Sequence, residues 1–229
     1  VEGLPAIEEL IYKGVNVNVT LLFSVHRYEE VIDRYFKGLE RRLQEGLPLE
    51  EVCSVASFFV SRVDTKVDKY LEEMLTRVST EDEKRRMLSL MGRAAVANAK
   101  MAYVVFKRNF SSDRFLKLRM KGARVQKLLF GSTSTKNPAY SDVLYVEELI
   151  GPATVNTMPD VTWKAFKDHG RVARTLDDRV EEAEKVLQEL ESLGINLHRV
   201  TEDLEKEGVK LFEEAFDALL EILSEKKNK

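Results

Sequence analysis

The sequence predicts an α/β fold built on a parallel sheet, and three observations carry that reading. The ten residues Gly14 to Phe23 alternate strictly, with Val15, Val17, Val19 and Leu21 on one side and Asn16, Asn18 and Thr20 on the other, which is the period of a β-strand. An amphipathic helix runs into this strand and another leaves it, and such an αβα run implies parallel neighbours. Strand and helix patterns then alternate three more times along the chain, four strand–helix units in all. Parallel strands are normally buried on both faces, yet one face here carries two amides and a hydroxyl that require partners or a wet cavity. A barrel interior meets that requirement, because inward polar residues near the carboxyl ends of barrel strands line a site. The same alternation also fits an edge strand with its asparagines in solvent.

Composition narrows the class of protein. The chain of 229 residues is 44% hydrophobic, enough for a substantial core, and is expected to be one domain. Its formal charge of −3, with both signs thoroughly mixed, offers no one-sided field for nucleic acid or a membrane surface. The single cysteine, Cys53, excludes an intrachain disulfide and a cysteine-based zinc site, and it reads as a small core residue in a reducing cytoplasm. No signal peptide and no apolar run of about 20 residues is evident, so a cytoplasmic protein is expected.

Taken in order, the first helix starts with Pro5 in its first turn, carries Ile7, Leu10 and Ile11 as its stripe, and stops at Gly14. Ser24 is placed to cap the next helix, whose apolar positions Tyr28, Ile32, Tyr35, Phe36, Leu39 and Leu43 recur at helical spacing until Gly46. A second strand is expected over Val52 to Arg62, with Cys53, Val55, Ser57, Phe59 and Ser61 on one face. Two helices follow, Val63 to Val78 and one long helix from Glu81 to Phe110, and then a short basic segment. The third strand breaks into Gly131, four hydroxyl residues and Lys136-Asn137-Pro138 before a helix that starts near Ser141. A fourth, short strand ends at Pro159 and feeds a helix from Asp160 to His169. From Thr175 onward two charged amphipathic helices, split at Gly194 to Asn196, are expected to pack by stripes that include Leu211, Phe212, Phe216, Leu219 and Leu220.

The motifs GVNVNVTLLFS (Gly14 to Ser24), SFFVSRVD (Ser57 to Asp64), GSTSTKNPAYSD (Gly131 to Asp142), NTMP (Asn156 to Pro159) and GVKLFEEAFDALL (Gly208 to Leu220) together resemble transaldolase, almost end to end. The resemblance implies a (β/α)8 barrel. Four strands are half of such a barrel, so the chain is expected to be an N-terminally truncated half barrel. It would hold strands five to eight in residues 1–174 and extra C-terminal helices in residues 175–229. The family's Schiff-base lysine, which stands on strand four, is expected to be missing from the chain, along with the acidic residues of proton transfer. The fragment alone is therefore expected to be inactive.

Carried over position by position, the resemblance gives Asn18 and Thr20 the role of holding substrate hydroxyls and the catalytic water beside that lysine. Ser57 and Phe59 are expected to line a dihydroxyacetone pocket, and Arg62, Ser134 and Lys136 to bind the substrate phosphate. Arginine suits such a contact because its fixed fork gives two charge-assisted bonds to one phosphate. Lys136 stands where other transaldolases can carry arginine, which keeps the charge and loses the fork. Asn16 lies nearer the strand start and is left out of the site. The implied reaction moves a dihydroxyacetone unit from sedoheptulose 7-phosphate to glyceraldehyde 3-phosphate with no metal and no cofactor. Sugar phosphates are the expected partners, with a homodimer as the form common in the family. The histidines His26, His169 and His198 are read as surface or helix-packing residues. Rival readings are another Schiff-base sugar-phosphate aldolase and a noncatalytic half barrel that only binds.

Overall fold

A computed structural model describes residues 2–227, so domain limits at Val1 and Lys229 lie outside the described residues. The element order is α1 (Gly3–Tyr12), β1 (Val17–Leu22), α2 (Val25–Gln44), β2 (Ser54–Phe59), α3 (Ser61–Leu75), α4 (Glu81–Leu90), α5 (Ala94–Phe110) and α6 (Asp113–Arg119). Then come β3 (Lys127–Gly131), α7 (Leu144–Glu148), β4 (Thr154–Asn156), α8 (Asp160–His169), α9 (Val180–Ser192) and α10 (Leu197–Lys227). All neighbouring strands pair in parallel, in the order β1-β2-β3-β4. A doubly wound sheet reverses its strand order at a switch point, whereas this sheet steps in one direction, as an arc of a barrel wall does.

The register decides which residues share a face. Asn18 stands opposite Val55, Ser57 opposite Leu129, and Leu129 opposite Val155. On the other face Ala56, Phe58, Leu128 and Phe130 are fully buried against helices. The polar face is real: Asn16, Asn18 and Thr20 are all exposed. The sheet is therefore covered by helices on one side, with Asn18, Thr20 and Ser57 on the opposite side.

Packing beneath the sheet is dominated by aromatic residues. Phe36 of α2 stacks on Phe115 of α6 with centroids 5.2 Å apart and meets Phe110 of α5 edge-on at 5.3 Å. Tyr35 joins them and donates its hydroxyl hydrogen to the Arg124 carbonyl at 2.7 Å. Ser24 caps α2 as expected, accepting from the Arg27 N–H at 3.2 Å. The buried Arg42 donates to the carbonyls of Pro48 and Tyr12, which ties the ends of α1 and α2 together.

Several sequence expectations are corrected. The first strand is shorter than Gly14 to Phe23, running only from Val17 to Leu22, and within it Leu21 adopts φ 59° and the register shifts between Val19 and Leu22, a bulge that breaks the alternation. As a result Leu22 and Phe23, adjacent in sequence, are both buried. The second strand ends at Phe59, so Ser61 and Arg62 open helix α3 instead of closing a strand. The single helix expected over Glu81 to Phe110 is two, broken where Gly92 takes φ 71°. The segment read as merely basic contains α6, capped by Ser112 and anchored by Phe115 and Leu118. Cys53 is half-buried instead of being a core residue, and its sulfur accepts from the Arg124 guanidinium at 3.3 Å. Leu211, Phe212, Phe216, Leu219 and Leu220 do not pack and are each about half exposed. Burial on α10 takes in Val200, Thr201 and Leu204 and ends at Gly208, which lies against Leu21, where an added Cβ would come within 3.0 Å of its side chain. The apolar period told which face of α10 is greasy, not what it meets.

Candidate functional site

The carboxyl ends of parallel strands release their loops on one side of the sheet, and two of the four non-glycine residues with positive φ among the described residues lie there. Leu21, next to last in β1, and Ser132, directly after β3, both occupy the left-handed region, at φ 59° and 54°. Such residues cost about 1–3 kcal/mol each and persist only where the surroundings hold them. Ser132 is held by a pair of contacts with the start of α3. Its carbonyl accepts from the Ser61 N–H at 3.0 Å, and the two hydroxyls share a hydrogen bond at 2.8 Å.

Asn18 and Ser57 come together on the open face, where the Ser57 hydroxyl donates to Asn18 Oδ1 at 2.7 Å. The bond orients the amide and leaves its NH2 group free to donate outward. Thr20 lies two residues beyond Asn18 on the same face, just before the bulge. Phe59 ends β2 on the face of Ser57, its ring 5.5 Å from that of Phe23, and the Arg62 guanidinium sits over it at 5.9 Å. Asn16 accepts from the Cys53 N–H at 2.7 Å, a bond that extends the pairing of β1 with β2 toward the opposite end of the sheet.

Arg62 and Lys136 come from different loops and line one cavity of ≈ 480 Å³, together with Thr65, Lys66, Lys69, Tyr70, Leu204, Glu207 and Leu211. Lys136 donates to Ser134 Oγ at 2.7 Å, so the third residue expected with these cations is at hand as well. Lys66 is occupied by Glu207 at 2.6 Å. Among the described residues Arg62, Lys69 and Lys136 form no ion pair. Arg62 stands in the first turn of α3, a 15-residue helix whose amino end adds a favourable field for an anion. Sequence reasoning missed Thr65, Lys66 and Lys69. Their signal was the spacing Arg62, Lys66, Lys69, which is i, i+4, i+7 on one helix face.

Two further residues of α3 carried no role in the sequence reading. Asp64 is 1% exposed and Asp68 6%. Asp64 accepts from the Ala95 N–H at 2.7 Å and from the Tyr145 hydroxyl at 2.8 Å. Asp68 accepts from the Gly92 N–H at 3.0 Å and from the Tyr140 hydroxyl at 2.7 Å. Burial pushes Asp64 up to about 7 despite these bonds, with the neighbouring Asp68 charge adding to the rise. Burial raises Asp68 as well. Both tyrosines are held above their ordinary range, first by burial and then by the carboxylates they contact.

The three histidines are exposed, and His169 is bound to Asp142 at 2.9 Å on the surface. Among the described residues no group of three or more His, Cys, Asp or Glu is arranged to hold a metal ion. No helix among them is long and apolar enough to cross a membrane.

Comparison with known proteins bears on what such a site serves. The family model described as Transaldolase/Fructose-6-phosphate aldolase matches residues 1–223. A protein of Trichodesmium erythraeum named Transaldolase is 45% identical over 230 residues, which is 100% of this chain and 60% of that protein. One of Mycolicibacterium smegmatis with the same name is 47% identical over 220 residues, 96% of this chain and 57% of its own length. A Nostoc protein named Transaldolase 2 is 44% identical over 227 residues, 98% of this chain and 60% of its own length. The chain thus spans less than two thirds of these relatives.

Proposed function

The chain belongs to the transaldolase/fructose-6-phosphate aldolase family, and on that premise we propose that it supplies the sugar-phosphate side of a transaldolase active site. The observation that carries this reading is the convergence, at the carboxyl end of one parallel sheet, of a hydrogen-bonded Asn18–Ser57 pair and a cavity lined by Arg62 and Lys136. The four strands correspond, in this reading, to strands five to eight of a (β/α)8 barrel, one domain that continues into the terminal helices. Asn18 and Thr20 hold substrate hydroxyls and a water, Ser57 and Phe59 flank the dihydroxyacetone unit, and Arg62, Ser134 and Lys136 take the phosphate. A phosphate between two cations from separate loops fixes the sugar along the open face, which positions the carbonyl for attack.

The attacking amine is a lysine outside these 229 residues, from the barrel strand that neighbours β1. In the reaction its nitrogen adds to the ketose carbonyl of sedoheptulose 7-phosphate and expels water to form a Schiff base. The carbon–carbon bond then breaks with the electrons held by the imine, and erythrose 4-phosphate leaves. The retained dihydroxyacetone carbanion adds to the aldehyde of glyceraldehyde 3-phosphate, and water hydrolyses the new Schiff base to release fructose 6-phosphate and the lysine. The chain alone is inactive in this reading, since it brings the orienting groups without the amine. A cytoplasmic setting and a homodimer belong to the same reading, by family likeness.

Replacing Arg62 or Lys136 by alanine in the full-length protein tests the phosphate assignment. Each loss of a charge-assisted contact is expected to remove about 1.5–3 kcal/mol, raising KM for phosphorylated ketoses far more than for an unphosphorylated one. Equal effects on both substrate types would sink it. The relatives' names favour transaldolase over fructose 6-phosphate aldolase, and transfer to an aldose phosphate acceptor separates the two.

A further inference from the structure

Asp64 and Asp68 are two buried carboxylates, four residues apart on α3, and the helix break between α4 and α5 accounts for only half of their bonds. One oxygen of each closes that break, Asp68 at the Gly92 N–H and Asp64 at the Ala95 N–H. The other oxygen of each takes a tyrosine hydroxyl, from Tyr140 and Tyr145. A carboxylate is expensive to bury, and a single backbone N–H could be met by a neutral side chain.

Tyr145 stands on α7 just after the loop that carries Ser134 and Lys136, and Tyr140 lies in that loop. Within it the Tyr140 N–H donates to the Asn137 carbonyl at 3.1 Å, the Ala139 N–H to Asn137 Oδ1 at 2.9 Å, and the Thr135 hydroxyl to the Ser141 carbonyl at 2.7 Å. These bonds make residues 135–141 a closed turn, so fixing Tyr140 fixes Lys136. Tyr140 is also pressed on Gly92, where an added Cβ would fall 2.7 Å from its ring. Lys136 and Lys69 border both the cationic cavity and a second one, of ≈ 220 Å³, lined by Asp64, Asp68, Glu72, Asn137, Tyr140 and Tyr145. The loop bearing one phosphate cation is thus moored to the helix bearing the other.

We propose that Asp68 with Tyr140, and Asp64 with Tyr145, are positioning residues that hold the loop of residues 132–142 so that Lys136 meets the same anion as Arg62. This rests on the reading of the Arg62–Lys136 cavity as the substrate-phosphate site. The aspartates do not touch substrate. They act through the two hydroxyls and the turn.

Tyr140→Phe tests it, since the ring stays on Gly92 and only the hydroxyl is lost. In the full-length protein, with folding verified by circular dichroism at the assay temperature, two readouts are taken. Amide hydrogen exchange in residues 132–142 should quicken, and KM for a phosphorylated ketose should rise about tenfold, the scale of a small misplacement of a binding group. The kcat, and the KM for an unphosphorylated ketose, should stay within twofold of the parent. Tyr145→Phe should act in the same direction, and Asp68→Asn, whose amide oxygen still accepts from Gly92, should lose less than Asp68→Ala. Faster exchange with an unchanged phosphate-dependent KM would overturn the positioning role and leave a purely structural one, as would unchanged exchange. Arg62→Ala measured in parallel separates the two levels. If it raises the phosphate-dependent KM and Tyr140→Phe does not, the positioning claim alone fails. If Arg62→Ala has no such effect, the phosphate assignment fails and this inference with it.

Discussion

Asp64→Asn should flatten the dependence of stability on pH. The Asp64 carboxyl is 1% exposed, and burial lifts it to about 7 from an ordinary 3.8. An unfolded chain releases this proton near pH 4, while the folded protein keeps it until about pH 7. Between those values the folded state holds more protons, so raising the pH favours unfolding, and the stability tied to this group falls across that window and levels off above it. At about 1.4 kcal/mol per pH unit, the gap amounts to roughly 4 kcal/mol between pH 4 and pH 8. Asparagine is nearly isosteric with the neutral acid and accepts the Ala95 N–H in the same way, so the two proteins should unfold alike at pH 4. At pH 8 the asparagine variant should be the more stable by several kcal/mol. Urea unfolding followed by circular dichroism at half-unit steps from pH 4 to pH 8 measures the difference directly. Two curves that run parallel over the whole range would refute the reasoning and show that water or a local opening solvates the carboxylate.

Three further outcomes are expected. Gly92→Ala should destabilise by about 1–3 kcal/mol, because φ 71° disfavours a side chain and the new Cβ falls 2.7 Å from the Tyr140 ring; a thermal midpoint equal to the parent's would contradict this. Phe36→Ala removes the ring that contacts both Phe110 and Phe115 and should cost about 3–5 kcal/mol in urea unfolding. Incubation of the isolated 229-residue chain with fructose 6-phosphate and borohydride should give no sugar adduct by mass spectrometry, and a stoichiometric adduct on Lys136 would overturn both its phosphate role and the external lysine.

The parallel sheet was legible because β1 and β2 alternate with period two and each is followed by a helix with a marked apolar stripe. Their ends were not legible. The bulge at Leu21 leaves no sequence mark, since nothing about leucine announces a positive φ, and the run Phe58 to Arg62 keeps strand-like residues while the backbone turns into α3. Gly92 was visible but lay inside a run of good helix formers, and only its contact with Tyr140 shows why the chain breaks there. The α6 helix was missed because seven residues give less than two turns of periodicity, although Ser112 before Asp113 was a cap signal. Asn18, Ser57, Arg62, Ser134 and Lys136 were named from motifs, and the fold brings Asn18 to Ser57 and Arg62 to Lys136. Asp64 and Asp68 were invisible as buried groups, because an acidic helix start is ordinarily solvated and only α5 and α7 packed against α3 take them out of water.

These misses share a location. Leu21, Ser132, Arg62, Gly92 and the two aspartates all sit where strands or helices end against one another near the carboxyl edge of the sheet, and there local propensity loses to tertiary contact. A positive φ at Ser132 is tolerated because Ser61 grips that residue twice, and a buried Asp68 because Gly92 and Tyr140 both donate to it. Ser132 and Gly92 each lean on a residue of α3, Ser61 and Asp68 respectively, the helix that also presents Arg62. Core packing alone would select against such a concentration of strain and buried charge. On the proposed reading of the Arg62–Lys136 cavity as a phosphate site, a requirement to hold two cations from separate loops at a fixed spacing accounts for it, and ties the least sequence-legible residues of the fold to the site that the motifs name.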